Sequence, residues 1–106
     1  MNLINEYQKE LDEVCSTFNV DQLYVFGSIL TGEFRADSDI DFIVSIQSKD
    51  PLEYAENYFE LKFALEKIFK RKIDLLEQKA IRNKTFEKLV DQQKKLVYAR
   101  RDKGLA

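Results

Sequence analysis

FGSILTGEFRADSDIDFIVSI, residues 26–46, is the stretch that decides how the chain folds. Ile40, Phe42, Val44 and Ile46 share one parity, and Asp39, Asp41, Ile43 and Ser45 share the other. Successive side chains of a strand point to opposite faces. The segment from 39 to 46 therefore reads as a strand with one wholly apolar face and two carboxylates at the head of the other. Just upstream, Leu23 to Phe26 is a run of β-formers and a second strand candidate. Gly27-Ser28 follows at once. Ile29 to Gly32 has room for one or two helical turns, and Arg35 to Ser38 has the composition of a turn.

The flanks supply the remaining layers. Ile4, Tyr7, Leu11, Val14 and Phe18 recur at steps of three and four, which marks one buried face of a helix ended by Asn19 to Asp21. Pro51 suits the first turn of a second helix running to about Phe69, with Ala55, Tyr58, Leu61, Leu65 and Ile68 inward. Ile73 to Leu76 is a third strand. Residues 81–93 read as a helix with Ile81, Phe86, Leu89 and Val90 inward, and Leu96 to Ala99 as a last short strand. The closing RRDKGLA reads as a frayed tail. With no repeat, linker or low-complexity segment, one domain over residues 1–106 is expected. The class is α+β, a small sheet of three to four strands flanked by helices.

Composition narrows the chemistry. A chain of 106 residues that is 44% hydrophobic and 12% aromatic can bury one core. A net charge of −2 and a pI near 5.2 speak against direct nucleic-acid binding, which draws on a basic surface. No apolar run spans a bilayer and the N-terminus has no secretory pattern, so a cytoplasmic protein is expected. The absence of histidine removes Ser-His and Cys-His catalysis and every His-ligated metal. The lone Cys15 cannot form an internal disulfide, and its place on an apolar helix face suits a small buried hydrophobe. An enzyme of this composition works with carboxylates, hydroxyls, Lys or Arg, or an oxygen-held metal.

Three features point to such a site. Asp39 and Asp41 repel each other on one strand face; an isolated D-x-D more often marks a strand end dipping into solvent. Asp74 lies among Ile73, Leu75 and Leu76, where a charge is otherwise an edge-protecting device. Three carboxylates brought together without histidine describe a hard-cation site of the kind Mg²⁺ occupies. Gly27-Ser28, between a strand and a helical turn, matches a phosphate cradle: glycine allows close backbone approach and the turn offers free N–H groups. Read alone, Ser28 is only a helix cap. Ten residues separate Ser28 from Asp39, giving G-S-x(10)-D-x-D.

This pattern, with a downstream strand Asp in IDLL, resembles the signature of the DNA polymerase beta nucleotidyltransferase superfamily. The likeness covers about residues 20–99 and is nearest to the minimal nucleotidyltransferase (MNT) branch paired with HEPN toxins. It implies the nucleotidyltransferase fold with a mixed sheet. It also implies that Asp39 and Asp41 bind two Mg²⁺ ions, that Asp74 joins them and helps activate the acceptor hydroxyl, and that Gly27 and Ser28 hold the nucleotide phosphates. The implied activity is transfer of AMP from ATP to a tyrosine of a HEPN-type toxin in a hetero-oligomer, which makes the chain an antitoxin. Many relatives carry arginines two and four positions after the glycine, where this chain has Ile29 and Thr31. Arg35 is then the candidate to neutralise the triphosphate, ahead of the basic run Lys67, Lys70, Arg71 and Lys72, which suits a helix C-terminus. Two other readings stay open. One is a non-catalytic antitoxin on the same scaffold; the other is a small-molecule nucleotidyltransferase, of the aminoglycoside-modifying kind, that needs a second subunit.

Overall fold

A computed structural model describes residues 2–100. The chain opens with two short helices, α1 (Asn2–Glu6) and α2 (Gln8–Thr17). One continuous helix was expected here. The break falls at Tyr7, whose N–H bonds to the Ile4 carbonyl, a three-residue step, before α2 resumes with Leu11 N–H on the Tyr7 carbonyl. The apolar stripe survives the break: Ile4, Leu11 and Cys15 are buried, and Tyr7 meets Phe69 edge-on at 5.7 Å.

Asn19 adopts a left-handed φ of 59°, so a single residue reverses the chain. Strand β1 therefore starts at Val20, three residues earlier than the apolar run suggested, and extends to Phe26. A 3₁₀ turn (Gly27–Leu30) leads into the loop before β2 (Ile40–Ile46). Helix α3 (Pro51–Phe69) begins as its sequence indicates. The Asp50 carboxylate caps it by accepting the Leu52 N–H at 3.0 Å, with Pro51 in the first turn. It ends on Lys70 at φ 54°. Then come β3 (Ile73–Glu77), a short 3₁₀ turn, α4 (Lys84–Gln93) and β4 (Lys95–Ala99).

The strands form one mixed sheet in the order β3-β2-β1-β4. β1 runs antiparallel to both β2 and β4, whereas β2 and β3 are parallel, joined by α3 as the crossover. α2 and α3 cover one face. The alternation read from residues 40–46 is the reason: Ile40, Phe42 and Val44 are fully buried against those helices with Leu61 and Leu65. β3 is an edge strand, and α3 secures it. Tyr58 donates its hydroxyl to the Leu75 carbonyl at 2.6 Å, and Tyr54 donates to Glu77 at 2.7 Å.

The opposite face is covered only in part, around the buried Ile43 and Val90, and here the sequence reading is corrected. α4 starts at Lys84, so Ile81 precedes it. Phe86 is 39% exposed and Leu89 is 49% exposed, although both were expected to point inward. Only Val90 of α4 is buried. One short helix cannot roof four strands, and Phe86 rests edge-on against Phe26 at the rim, 6.4 Å between ring centres. Of the expected tail, Arg100 is held: its N–H donates to the Asp21 carbonyl and its guanidinium to Gln47. Residues 101–106 lie outside the described part.

Candidate active site

The open face carries the acidic residues. Parallel pairing of β2 with β3 places Asp41 opposite Asp74. The two side chains share a face and lie within hydrogen-bonding reach of each other. Asp39, one residue before β2, adds its charge to the same locus. Burial, then the Asp74 charge and hydrogen bond, then the Asp39 charge push the Asp41 carboxyl up to about 6. Asp41 is half-buried and Asp74 is exposed, so the group under greatest strain is also the better enclosed.

Gly27 closes the site from the side of β1. Phe26 is the register partner of Asp41, which puts Gly27 directly beside that carboxylate. Its φ is +82°, and a Cβ built there would meet Asp41 Oδ2 at 2.5 Å. Glycine is required on both counts: backbone conformation and space. Ser28 sits in the 3₁₀ turn, where its carbonyl accepts from both the Thr31 N–H and the Thr31 hydroxyl.

Arg35 does not join this group directly. It opens a tight turn in which Ser38 N–H donates to the Arg35 carbonyl and Arg35 N–H donates to Ser38 Oγ at 2.9 Å. Its exposed side chain enters no ion pair among the described residues. Arg71, grouped above with a basic run, is used internally. Its Nη1 donates to the carbonyls of Arg35 and Ser38, both at 3.1 Å, and its guanidinium lies 4.7 Å over the Phe34 ring.

The donor set suits a hard divalent cation. It is all oxygen, it contains no histidine, and its self-repulsion is relieved by positive charge. Among the described residues no three such ligands are already drawn into one coordination shell. The geometry is a registered pair, Asp41 and Asp74, with Asp39 coupled to it through charge.

A family model described as polymerase beta nucleotidyltransferase matches residues 9–103. The chain belongs to this nucleotidyltransferase family. A relative from Methanocaldococcus jannaschii, provisionally named a protein adenylyltransferase, is 35% identical over 75 residues, covering 71% of this chain and 74% of the relative. A solved structure provisionally described as a minimal nucleotidyltransferase superposes with a TM-score of 0.70 at 23% identity, over 86% of this chain and 89% of that one. A complex of a tri-AMPylated Shewanella oneidensis HEPN toxin with its MNT antitoxin gives 0.56 at 16% identity, over 92% and 73%. These likenesses show the nucleotidyltransferase fold. No helix among the described residues is long and apolar enough to cross a membrane.

Proposed function

We propose that this nucleotidyltransferase moves AMP from ATP to a tyrosine hydroxyl of a HEPN-type toxin, and so acts as a cytoplasmic antitoxin. The observation that carries this reading is the register of Asp41 against Asp74 with Gly27 packed beside Asp41. The AMPylated toxin bound to a protein of the same fold supports the choice of acceptor.

Asp39, Asp41 and Asp74 are the residues that would hold Mg²⁺, with two ions expected. Bound there, Mg²⁺ neutralises phosphate charge and lowers the pKa of the acceptor hydroxyl. The chain's own residues do the rest. Gly27 and Ser28 offer a close backbone approach for the phosphates, and the exposed Arg35 guanidinium is free to swing towards them. The acceptor oxygen attacks the α-phosphorus, the bond to the bridging oxygen breaks, and pyrophosphate leaves with the electron pair. The hydroxyl proton passes to Asp74, the open member of the pair. Asp41 must be ionised to serve; with its carboxyl pushed up to about 6, cation binding has to displace a proton from it under mildly acidic conditions.

The test is to incubate the chain with ATP labelled at the α-phosphate, Mg²⁺ and its HEPN-type partner. Label should appear on the partner, and Asp39→Asn or Asp41→Asn should abolish it while the complex still forms. Equal labelling by these variants would remove the assignment. Neutralisation of the toxin without label would favour inhibition by contact alone.

A further inference from the structure

We propose that Arg71 is a positioning residue that holds the two arms of the acidic site in register; the proposal rests on the catalytic reading above. The arms reach the site by different routes. Asp39 directly follows Ser38 at the end of the 34–38 loop, and Asp74 lies three residues after Arg71 on β3. A backbone hydrogen bond joins them below the ladder, from Ile40 N–H to the Lys72 carbonyl at 3.2 Å. Arg71 supplies a further tie. Its Nη1 bridges the carbonyls at both ends of the Arg35–Ser38 turn, and its plane stacks on Phe34 one residue earlier. The turn is also closed on itself through Ser38 Oγ and Ser38 N–H. The loop is thus tied to the turn that launches β3.

The same contacts favour this role over binding of the triphosphate, the other role open to a basic residue here. Two carbonyls take up Nη1 and a ring covers one face, so these contacts fix the guanidinium on the loop. Arg71 is half-buried, and its Nε is buried with no partner among the described residues, so the inner end of the guanidinium is enclosed. A lysine at this position cannot replace it. An ammonium has no planar face to stack on Phe34 while it bonds the turn.

The experiment compares wild type with Arg71→Lys, Arg71→Ala and Phe34→Leu. Mn²⁺ binding to the chain alone is followed by electron paramagnetic resonance, and AMP transfer is followed as a function of Mg²⁺ and of ATP. A displaced Asp39 weakens cation binding, and loss of a residue that orients ligands typically costs about 10-fold or more. Both Arg71 variants should weaken Mn²⁺ binding about 10-fold. They should raise the Mg²⁺ needed for half-maximal transfer by a similar factor, with KM for ATP at saturating Mg²⁺ unchanged. Phe34→Leu should show the same effect in smaller measure. Wild-type Mn²⁺ affinity in folded Arg71 variants, a change confined to KM for ATP, or full rescue by lysine would each overturn the proposal. If wild type binds Mn²⁺ but transfers no AMP, the catalytic reading fails while the Mn²⁺ comparison still decides the role of Arg71.

Discussion

Replacing Asp41 by asparagine should stabilise the fold, by an amount that grows with pH. The carboxyl ionises at about 6 in the folded chain and at 3.8 when unperturbed. Below pH ~4 both states are protonated and the substitution gains nothing. Between pH ~4 and ~6 the folded state binds more protons than the unfolded one, so wild-type stability falls as pH rises through this window. Above it, the fold carries the full cost of an ionised carboxylate beside Asp74 and Asp39. Two pKa units correspond to about 3 kcal/mol. Asp41 is only half-buried, so solvent screening reduces this to about 1–1.5 kcal/mol. The assay is urea denaturation of wild type and Asp41→Asn in EDTA at pH 4.5 and pH 8. The variant should exceed wild type by about a third of that margin at the lower pH, where the unfolded carboxyl is already mostly ionised, and by all of it at the higher. Mg²⁺ at about ten times its Kd should return about 1.4 kcal/mol to wild type alone and close the gap. A difference that is flat with pH, or wild type more stable than the variant at pH 8 in EDTA, would refute the strained-pair argument.

Three further expectations follow from the packing. Gly27→Ala should cost about 1–3 kcal/mol, because the new Cβ meets both a positive φ and Asp41. In an Asp41→Ala background the cost should fall to its backbone part, and denaturation of the four forms of the double-mutant cycle measures the coupling. Leu65→Ala, in the fully buried core, should cost about 2–5 kcal/mol, whereas Leu89→Ser on the exposed side of α4 should change stability by about 0.5 kcal/mol or less. Chemical denaturation separates these outcomes and tests whether α4 leaves Leu89 in solvent. Burial pushes the Cys15 thiol up to about 12, and Asp12 adds to the rise. Ellman's reagent should therefore label it at pH 8 only as fast as the protein unfolds; burst labelling of the folded chain would contradict the burial.

The fold was legible wherever burial was one-sided. The alternation from Ile40 to Ile46 and the stripe through Leu61 and Leu65 each named a face, because an element packed on one side writes its period into the sequence. α4 misled for the converse reason. Phe86, Leu89 and Val90 have amphipathic spacing, but only Val90 is buried; Phe86 meets Phe26 at the rim and Leu89 stays about half exposed. Spacing reports which residues share a face and not whether a partner covers it. Asn19 was underrated because a one-residue reversal depends on a left-handed φ, which composition suggests only weakly.

The site divides in the same way. Asp41 and Asp74 were readable as charges set in apolar strand contexts, and their meeting required only that β2 and β3 be neighbours. Gly27 showed itself as a glycine between strand and turn, although its contact with Asp41 depends on the β1–β2 register. Arg71 was hidden in a basic run, since its targets are backbone carbonyls 36 and 33 residues away, which leave no trace in residue identity. The tyrosine stripe of α3 carried a faint signal: a half-buried hydroxyl needs a partner, and Tyr58 finds the edge carbonyl of Leu75.

The central claim is that the acidic residues of the open face gather around divalent cations beside Gly27. Crystals grown with Mn²⁺ and a non-hydrolysable ATP analogue, measured at the manganese edge, test it most directly. Anomalous peaks bounded by the carboxylates of Asp39, Asp41 and Asp74, with the phosphates against Gly27 and Ser28, are the result expected. Manganese bound elsewhere, or a nucleotide seated away from this trio, would contradict it.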